Sequence, residues 1–144
     1  MKAAKHYYEL FDHTADLGIA FFGKDATALF AHAGRALFDV MISRQGHRAR
    51  ALHHYHFILQ GEDWADLLVN WLRELLFLFH GHRQLLHQLR ITSLSSTELR
   101  AEVTTDDFLP ERHRIEQDIK AVTYHQAAVS QNPDGWQARI IFDI

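Results

Sequence analysis

The chain has 144 residues, a length typical of one domain with a single core, so we expect one domain over residues 1–144. Hydrophobic residues make up 47% and charged residues 23%, and a formal net charge of -3 gives no overall basic field, so direct nucleic-acid binding is not expected. The lack of cysteine excludes disulfides, thiolate zinc sites and a cysteine nucleophile.

Neither a secreted nor a membrane location is indicated by the sequence. The opening stretch, MKAAKHYY, lacks the apolar region of a signal peptide. The longest apolar run, LLFLF at 75–79, is far too short to span a bilayer. We therefore expect a cytoplasmic protein without membrane contact.

An amphipathic helix is predicted after two strands at about 6–11 and 17–22. Asp25 is its expected N-cap. Apolar residues recur at spacings of three and four along one face: Ala26, Leu29, Phe30, Ala33, Leu37, Val40 and Met41.

A second amphipathic helix is predicted after a strand at about 50–60. Asp63 is the expected N-cap, and Gly81 is expected just past the end. The same spacing recurs in Trp64, Leu67, Leu68, Trp71, Leu72, Leu75 and Phe79.

Four further strands are predicted, at about 86–94, 97–104, 119–130 and 135–143. The stretch NPDG at 132–135 is a turn signal, so the last two strands should form an antiparallel hairpin. The predicted fold class is α+β, with two amphipathic helices packed on antiparallel sheet.

The two helix starts resemble each other. GKDATALFAHAGRALF at 23–38 aligns without gaps on GEDWADLLVNWLRELL at 61–76, and glycine, aspartate, leucine, arginine and leucine recur at the same offsets. Each copy follows a predicted strand, so a duplicated strand–helix unit is one interpretation. Convergence of two amphipathic helices with similar caps is the other.

Histidine is unusually frequent, with 12 residues. His54 and His56, beside His53, share one strand face within reach of a common metal ion, and His80 and His82 flank a glycine at a helix end. Zinc sites need three or four ligands, and neither an HExxH helix nor a cysteine pair accompanies these histidines. We therefore predict no zinc site, and their role stays open.

Motifs for nucleotides and acyl transfer are absent, since the sequence has no GxxxxGK[ST], GxGxxG or GxSxG.

Two groups of carboxylates remain as candidate functional residues. FDHTADLGIAFFG at 11–23 places Asp12, His13, Thr14 and Asp16 before a strand, and ARIIFDI at 138–144 has Asp143 before Ile144. An isoleucine there indicates a packed terminus, which would bring a side-chain and a main-chain carboxylate together. A core strand whose aspartate faces solvent is the alternative.

Five stretches together resemble the archease family. They are HTADLGI at 13–19, ALFDVM at 36–41, LLVNWLRELLFL at 67–78, KAVTYHQ at 120–126 and FDI at 142–144. The resemblance implies a small accessory protein of the GTP- and manganese-dependent tRNA-splicing RNA ligase, one that promotes the guanylylation and turnover of the ligase. It also implies a role as chaperone of a tRNA methyltransferase.

The resemblance further implies a divalent-cation site whose ligands are Asp16, Asp143 and Ile144. Oxygen ligands suit calcium, magnesium or manganese rather than zinc or copper, and calcium is the first expectation. His13 and Thr14 would brace the turn or hydrogen-bond to the ligands.

A basic loop is the remaining implied feature. Family members often carry Lys-His before the strand that here reads KAVTYH, whereas this chain has Arg112 and His113. The charge is kept, but arginine is a planar fork and lysine a compact point charge. Together with Lys120, these residues would contact the partner.

A second class of function would use the same carboxylates, namely a small metal-dependent hydrolase that activates water. The sequence offers no general base for it beyond His13 and His125. The accessory protein is therefore the favoured hypothesis and the hydrolase the alternative.

Overall fold

The computed structural model describes residues 7–44 and 52–144, with two helices where the apolar periodicity predicts them. Helix α1 spans Ala26–Met41 and helix α2 spans Trp64–His82. Neither combines the length and the apolar composition that crossing a membrane requires.

Both predicted N-caps are confirmed. The carboxylate of Asp25 accepts a hydrogen bond from the N–H of Ala28 at 2.8 Å, and that of Asp63 accepts one from the N–H of Asp66 at 2.9 Å. Each cap satisfies one of the N–H groups that a helix start leaves unpaired.

The predicted end of α2 is wrong, because Gly81 lies inside the helix. The C-cap is Arg83, which adopts the left-handed conformation with φ 52° and ψ 45°. This conformation is costly for a residue with a side chain. The Arg83 guanidinium carbon lies 4.7 Å from the ring centroid of Phe79, a stacking contact that helps to hold it.

The described residues contain ten strands, and every strand pair among them is antiparallel. The strands are β1 Tyr8–His13, β2 Asp16–Gly23, β3 Ile42–Arg44, β4 His53–Gln60, β5 Gln84–Leu94, β6 Glu98–Asp107, β7 His113–Ile115, β8 Ala121–Val122, β9 Ala128–Asn132 and β10 Gly135–Asp143.

These strands form three sheets. The largest has five strands in the order β1-β2-β10-β8, with β9 also paired to β10. A three-stranded sheet has the order β4-β6-β5, and β3 pairs with β7. Strand β10 therefore lies inside the largest sheet, with β2 along one edge and β8 and β9 along the other.

The predicted hairpin at residues 132–135 is confirmed, since it joins β9 to β10 in antiparallel register. The single strand predicted at about 119–130 is wrong, because it is two strands separated by residues 123–127. Gln126 in this break has φ 54°, which strand backbone does not adopt. Strands β3 and β7 were not predicted, since three residues are too few for a visible alternation.

Two predicted strands begin outside the described residues: position 6 of the first and positions 50 and 51 of the third. Their remaining parts coincide with β1 and β4, apart from position 7 and Leu52, which precede the strands. The predicted strands at about 17–22, 86–94, 97–104 and 135–143 are confirmed as β2, β5, β6 and β10.

The buried side chains form a core that both helices share with the sheets. From α1 it includes Leu29, Phe30, Ala33, Leu37 and Met41, and from α2 it includes Leu67, Leu68, Trp71, Leu72 and Leu75. The α+β fold class is thus confirmed, with the apolar helix faces turned toward the sheets.

The two strand–helix junctions have matching local geometry. A Cβ on Gly23 would lie 2.4 Å from the backbone nitrogen of Leu29, and one on Gly61 would lie 2.7 Å from that of Leu67. A duplicated unit would share this close approach, and so would two independent helices with the same entry turn. Duplication therefore stays a prediction.

Candidate functional site

Strand β2 begins and strand β10 ends at the same end of the five-stranded sheet. Phe142 lies opposite Leu17, and continuing this register by one residue places Asp143 opposite Asp16. Asp16 and Asp143 thus flank the last pair of residues that the two strands share. We call Asp16, Asp143 and Ile144 the carboxylate end.

A tight turn between β1 and β2 brings His13 against Asp16. The two residues are paired across the hairpin, with the exposed Thr14 and the left-handed Ala15 (φ 62°) between them. His13 Nδ1 lies 3.4 Å from Asp16 Oδ2. This imidazole nitrogen is buried and makes no hydrogen bond. The hairpin thus supplies one carboxylate and one imidazole nitrogen to the carboxylate end.

Residues 119–125, which include β8 and which we call the β8 segment, form the other side. The N–H of Lys120 donates a hydrogen bond to the carbonyl oxygen of Asp143 at 2.8 Å. The ring of His125 packs edge-on against that of His13, with centroids 5.8 Å apart. The side chain of Lys120 is exposed.

The donor chemistry of the carboxylate end fits a hard cation. Asp143 is exposed and Asp16 is half-buried, so oxygen ligands are accessible. Among residues 7–44 and 52–144, no three histidine or acidic side chains gather in a way that would hold a metal ion. A cation here would thus need further ligands besides the carboxylates of Asp16 and Asp143.

Ile144 itself differs from the expectation. The prediction that this isoleucine is packed down is wrong, since the residue follows the end of β10 and is 42% exposed. A single apolar side chain beyond the last paired residue has no neighbouring strand to cover it.

The basic loop is less open than expected. His113 is only 5% exposed, accepts a hydrogen bond at Nδ1 from the N–H of Leu109 at 2.9 Å and stacks on Phe108. Arg112 is half-buried rather than fully exposed. Direct contact with a partner is therefore open to Arg112, whereas His113 shapes the loop from inside.

Several of the other histidines have partners within the chain. Nε2 of His53 lies 3.0 Å from Oδ1 of Asp107, and Nε2 of His80 lies 2.7 Å from the carbonyl oxygen of Ile119. His54 and His56 are exposed on β4, and the ring of His82 contacts Phe77 edge-on.

Sequence reasoning missed three polar residues next to this end. Arg73 and Asn70 on α2 both hydrogen-bond to the hydroxyl of Tyr124, at 3.1 Å and 3.0 Å. All three lie in stretches that carry the family resemblance. The available signal was the presence of Asn70 and Arg73 among the buried apolar residues of the α2 sequence.

Comparison with known proteins assigns the chain to one family. The model of the Archease protein family matches residues 8–144. The chain belongs to the archease family. The archease of Methanosarcina acetivorans is 33% identical with 95% of each chain covered, and that of Pyrococcus abyssi is 32% identical with 100% of each covered.

A solved structure agrees with the archease fold. The solution structure of Methanobacterium thermoautotrophicum protein 1598 has a TM-score of 0.74 and 26% identity, covering 95% of this chain and 98% of that one. The archease match includes the β1–β2 hairpin, the β8 segment and the carboxylate end, so no part of the candidate site lies outside it.

Proposed function

We propose that this member of the archease family is a non-enzymatic, cytoplasmic accessory protein that activates the GTP- and manganese-dependent tRNA-splicing RNA ligase. It would promote guanylylation and turnover of the ligase, and also act as chaperone of a tRNA methyltransferase. The carboxylate end, inside a family match over nearly the whole chain, is the observation that supports this proposal.

The carboxylate end would hold a divalent cation through Asp16, Asp143 and the main-chain carboxylate of Ile144. Anionic groups gathered at one point are costly unless a cation or protons neutralise them. An all-oxygen donor set favours calcium, magnesium or manganese. When bound, the ion would supply positive charge and open coordination positions to a partner.

Contact with the ligase would use the surface around this end. Lys120 is exposed and its backbone hydrogen-bonds to Asp143, so its ammonium group is available to an acidic rim or a ligase-bound phosphate. Arg112 would add a second positive charge from the basic loop. No step of this contact requires the protein to bind RNA directly.

The hydrolase hypothesis has less support. His13 and His125 do lie together near Asp16, so candidate general bases are present. The relatives reported above, however, carry the name archease and not that of a hydrolase. The accessory role is therefore the function that we propose.

A ligation assay tests the proposal. The cognate RNA ligase should complete more turnovers in the presence of this protein than in its absence. Asp16→Asn should remove this stimulation, because it deletes one carboxylate of the carboxylate end. Asp134→Asn is the matched control. Asp134 is exposed in the turn before β10, and the carboxylate end lies at the opposite end of that strand. Absence of stimulation by the unaltered protein would refute the proposal.

A further inference from the structure

We propose that Asn70, Arg73 and His80 form a clamp on α2 that holds the β8 segment against the end of β10 and so sets the geometry of the carboxylate end. We call these three residues the α2 clamp. This inference deepens the proposed function. Any effect of the α2 clamp on ligase stimulation rests on that function.

The three clamp residues lie on one face of the helix. Residues three and four positions apart are neighbours on a helix surface, so Asn70 and Arg73 are adjacent and His80 follows two turns later on the same side. Each side chain contacts the β8 segment through a hydrogen bond. Three polar side chains on one side of the helix are thus directed at one short piece of chain.

The β8 segment needs such support because its own pairing is minimal. Strand β8 has two residues, which pair with Phe142 and Asp143 of β10, and it is the outermost strand on that side of the sheet. Arg73 Nε donates to the carbonyl oxygen of Val122 at 3.2 Å, and His80 Nε2 donates to that of Ile119 at 2.7 Å. The helix therefore supplies partners that a neighbouring strand would otherwise provide.

Tyr124 is the second attachment point. Its hydroxyl accepts a hydrogen bond from Arg73 Nη1 at 3.1 Å and donates one to Oδ1 of Asn70 at 3.0 Å, so its donor and an acceptor site are both used. The Arg73 guanidinium carbon also lies 4.3 Å from the Tyr124 ring centroid, within cation–π range. The ring is 48% exposed, so these contacts, rather than burial, fix its position.

The held segment contacts Asp143 directly and approaches Asp16 through His13. Lys120 hydrogen-bonds to the carbonyl oxygen of Asp143, and His125 packs against His13, which lies 3.4 Å from Oδ2 of Asp16. Loosening the β8 segment would release both contacts at once. The α2 clamp residues are therefore positioning residues, because they reach the carboxylate end only through the β8 segment.

Hydrogen exchange of the full-length protein tests the clamp directly. In Arg73→Gln, the amides of residues 119–127 should exchange about tenfold faster than in the unaltered protein. The loss of one hydrogen bond from a charged group is enough to reduce the protection of these amides by that factor. Arg90→Gln is the matched control, because Arg90 is exposed on β5 and pairs only with Glu102 at 2.7 Å among the described contacts. Exchange in residues 119–127 should not change in the control.

A calorimetric titration with calcium and with manganese tests the link to the carboxylate end. Arg73→Gln should raise the dissociation constant several-fold, and Arg73→Lys should restore only part of the affinity, since lysine lacks the fork that reaches both Val122 and Tyr124. Tyr124→Phe, which removes only the hydroxyl, replaces Arg73→Gln if that variant does not fold. It should show a smaller change in the same direction.

The outcomes separate this inference from the proposed function. Unchanged exchange in a folded Arg73→Gln would overturn the clamp, and faster exchange with unchanged cation affinity would overturn its effect on the carboxylate end. If the unaltered protein does not stimulate the ligase, the proposed function fails, but the exchange and titration results still decide the inference.

Discussion

The indole N–H of Trp71 donates a hydrogen bond to the carbonyl oxygen of Phe30 at 2.9 Å, which ties α2 to α1 in the interior. Trp71 is fully buried, with 0% exposure. A buried indole N–H without a partner would be costly, so the bond both satisfies the tryptophan and fixes how the helices pack.

Replacing Trp71 with alanine should lower the free energy of unfolding by ~3–5 kcal/mol, because it removes a large buried side chain and leaves a cavity. That is a large share of a typical stability of about 5–15 kcal/mol. Urea denaturation measures the change. Phe77→Ala is the control, since Phe77 is on the same helix but 57% exposed, and it should have a small effect. An unchanged melting temperature in Trp71→Ala, with loss of ligase stimulation, would instead assign Trp71 to an interface.

Alanine at either strand–helix junction should also destabilise the protein. Gly23→Ala and Gly61→Ala each place a Cβ against backbone, and forced overpacking of this kind costs typically about 1–3 kcal/mol. Gly81→Ala provides the contrast, because its nearest neighbour is the ring of the exposed Phe77, which can move aside. Thermal melts should show a loss at both junctions and none at Gly81. Tolerance of alanine at a junction would contradict the close approach there.

Reversing the charge of the basic loop should weaken ligase stimulation without lowering stability. Arg112→Glu would place a negative charge where an acidic rim or bound phosphate of the ligase is expected to approach. Arg114→Glu is the neighbouring control, because the Arg114 side chain is 71% exposed. Stimulation should fall more for Arg112→Glu, most clearly at low salt. Equal stimulation by the variant and the unaltered protein across several salt concentrations would remove the loop from the mechanism.

Adding two residues after Ile144 should reduce stabilisation by cations, because it moves the main-chain carboxylate while leaving Asp143 in place. An ion at a hundredfold excess over its dissociation constant stabilises a fold by about 2.7 kcal/mol. Thermal melts with calcium and with manganese should therefore show a smaller gain for the extended protein, and ligase stimulation should fall. Equal gains in both proteins, or none in either, would refute the cation site as proposed.

A screen for phosphatase and nuclease turnover with manganese should find no activity in the purified protein. The screen decides against the hydrolase only if it is sensitive, so a known manganese-dependent nuclease serves as the positive control. Turnover that disappears in Asp16→Asn would establish the enzyme instead, with His13 and His125 as the first candidates for a general base.

Local signals in the sequence predict the two helices well. Apolar residues repeat at the helical period in both, and Asp25 and Asp63 cap through contacts only three residues away. The end of α2 was missed because Arg83 takes a conformation that glycine usually supplies, held by stacking on Phe79. Local propensity does not include that contact.

The sequence draws attention to the residue types of the candidate site but does not reveal how they come together. Asp16 and Asp143 stand out as carboxylates, yet their proximity depends on the pairing of β2 with β10, from opposite ends of the sequence. Arg73 and Tyr124 were missed for the same reason, since each looks like an ordinary surface residue until α2 is placed beside the β8 segment. Long-range pairing leaves no periodic trace in either partner.

Strand β10 is the last of the described strands in chain order, yet it lies between β2 and the pair β8 and β9. During synthesis, β2 therefore remains without that neighbour until residues 135–143 have left the ribosome. Among the described elements, only β4, α2, β5 and β6 follow one another along the chain and complete a sheet of their own. Pairings that join distant parts of a chain form slowly, and unpaired strand edges invite aggregation. One edge of β2 is thus open to wrong pairing until residues 135–143 have been made.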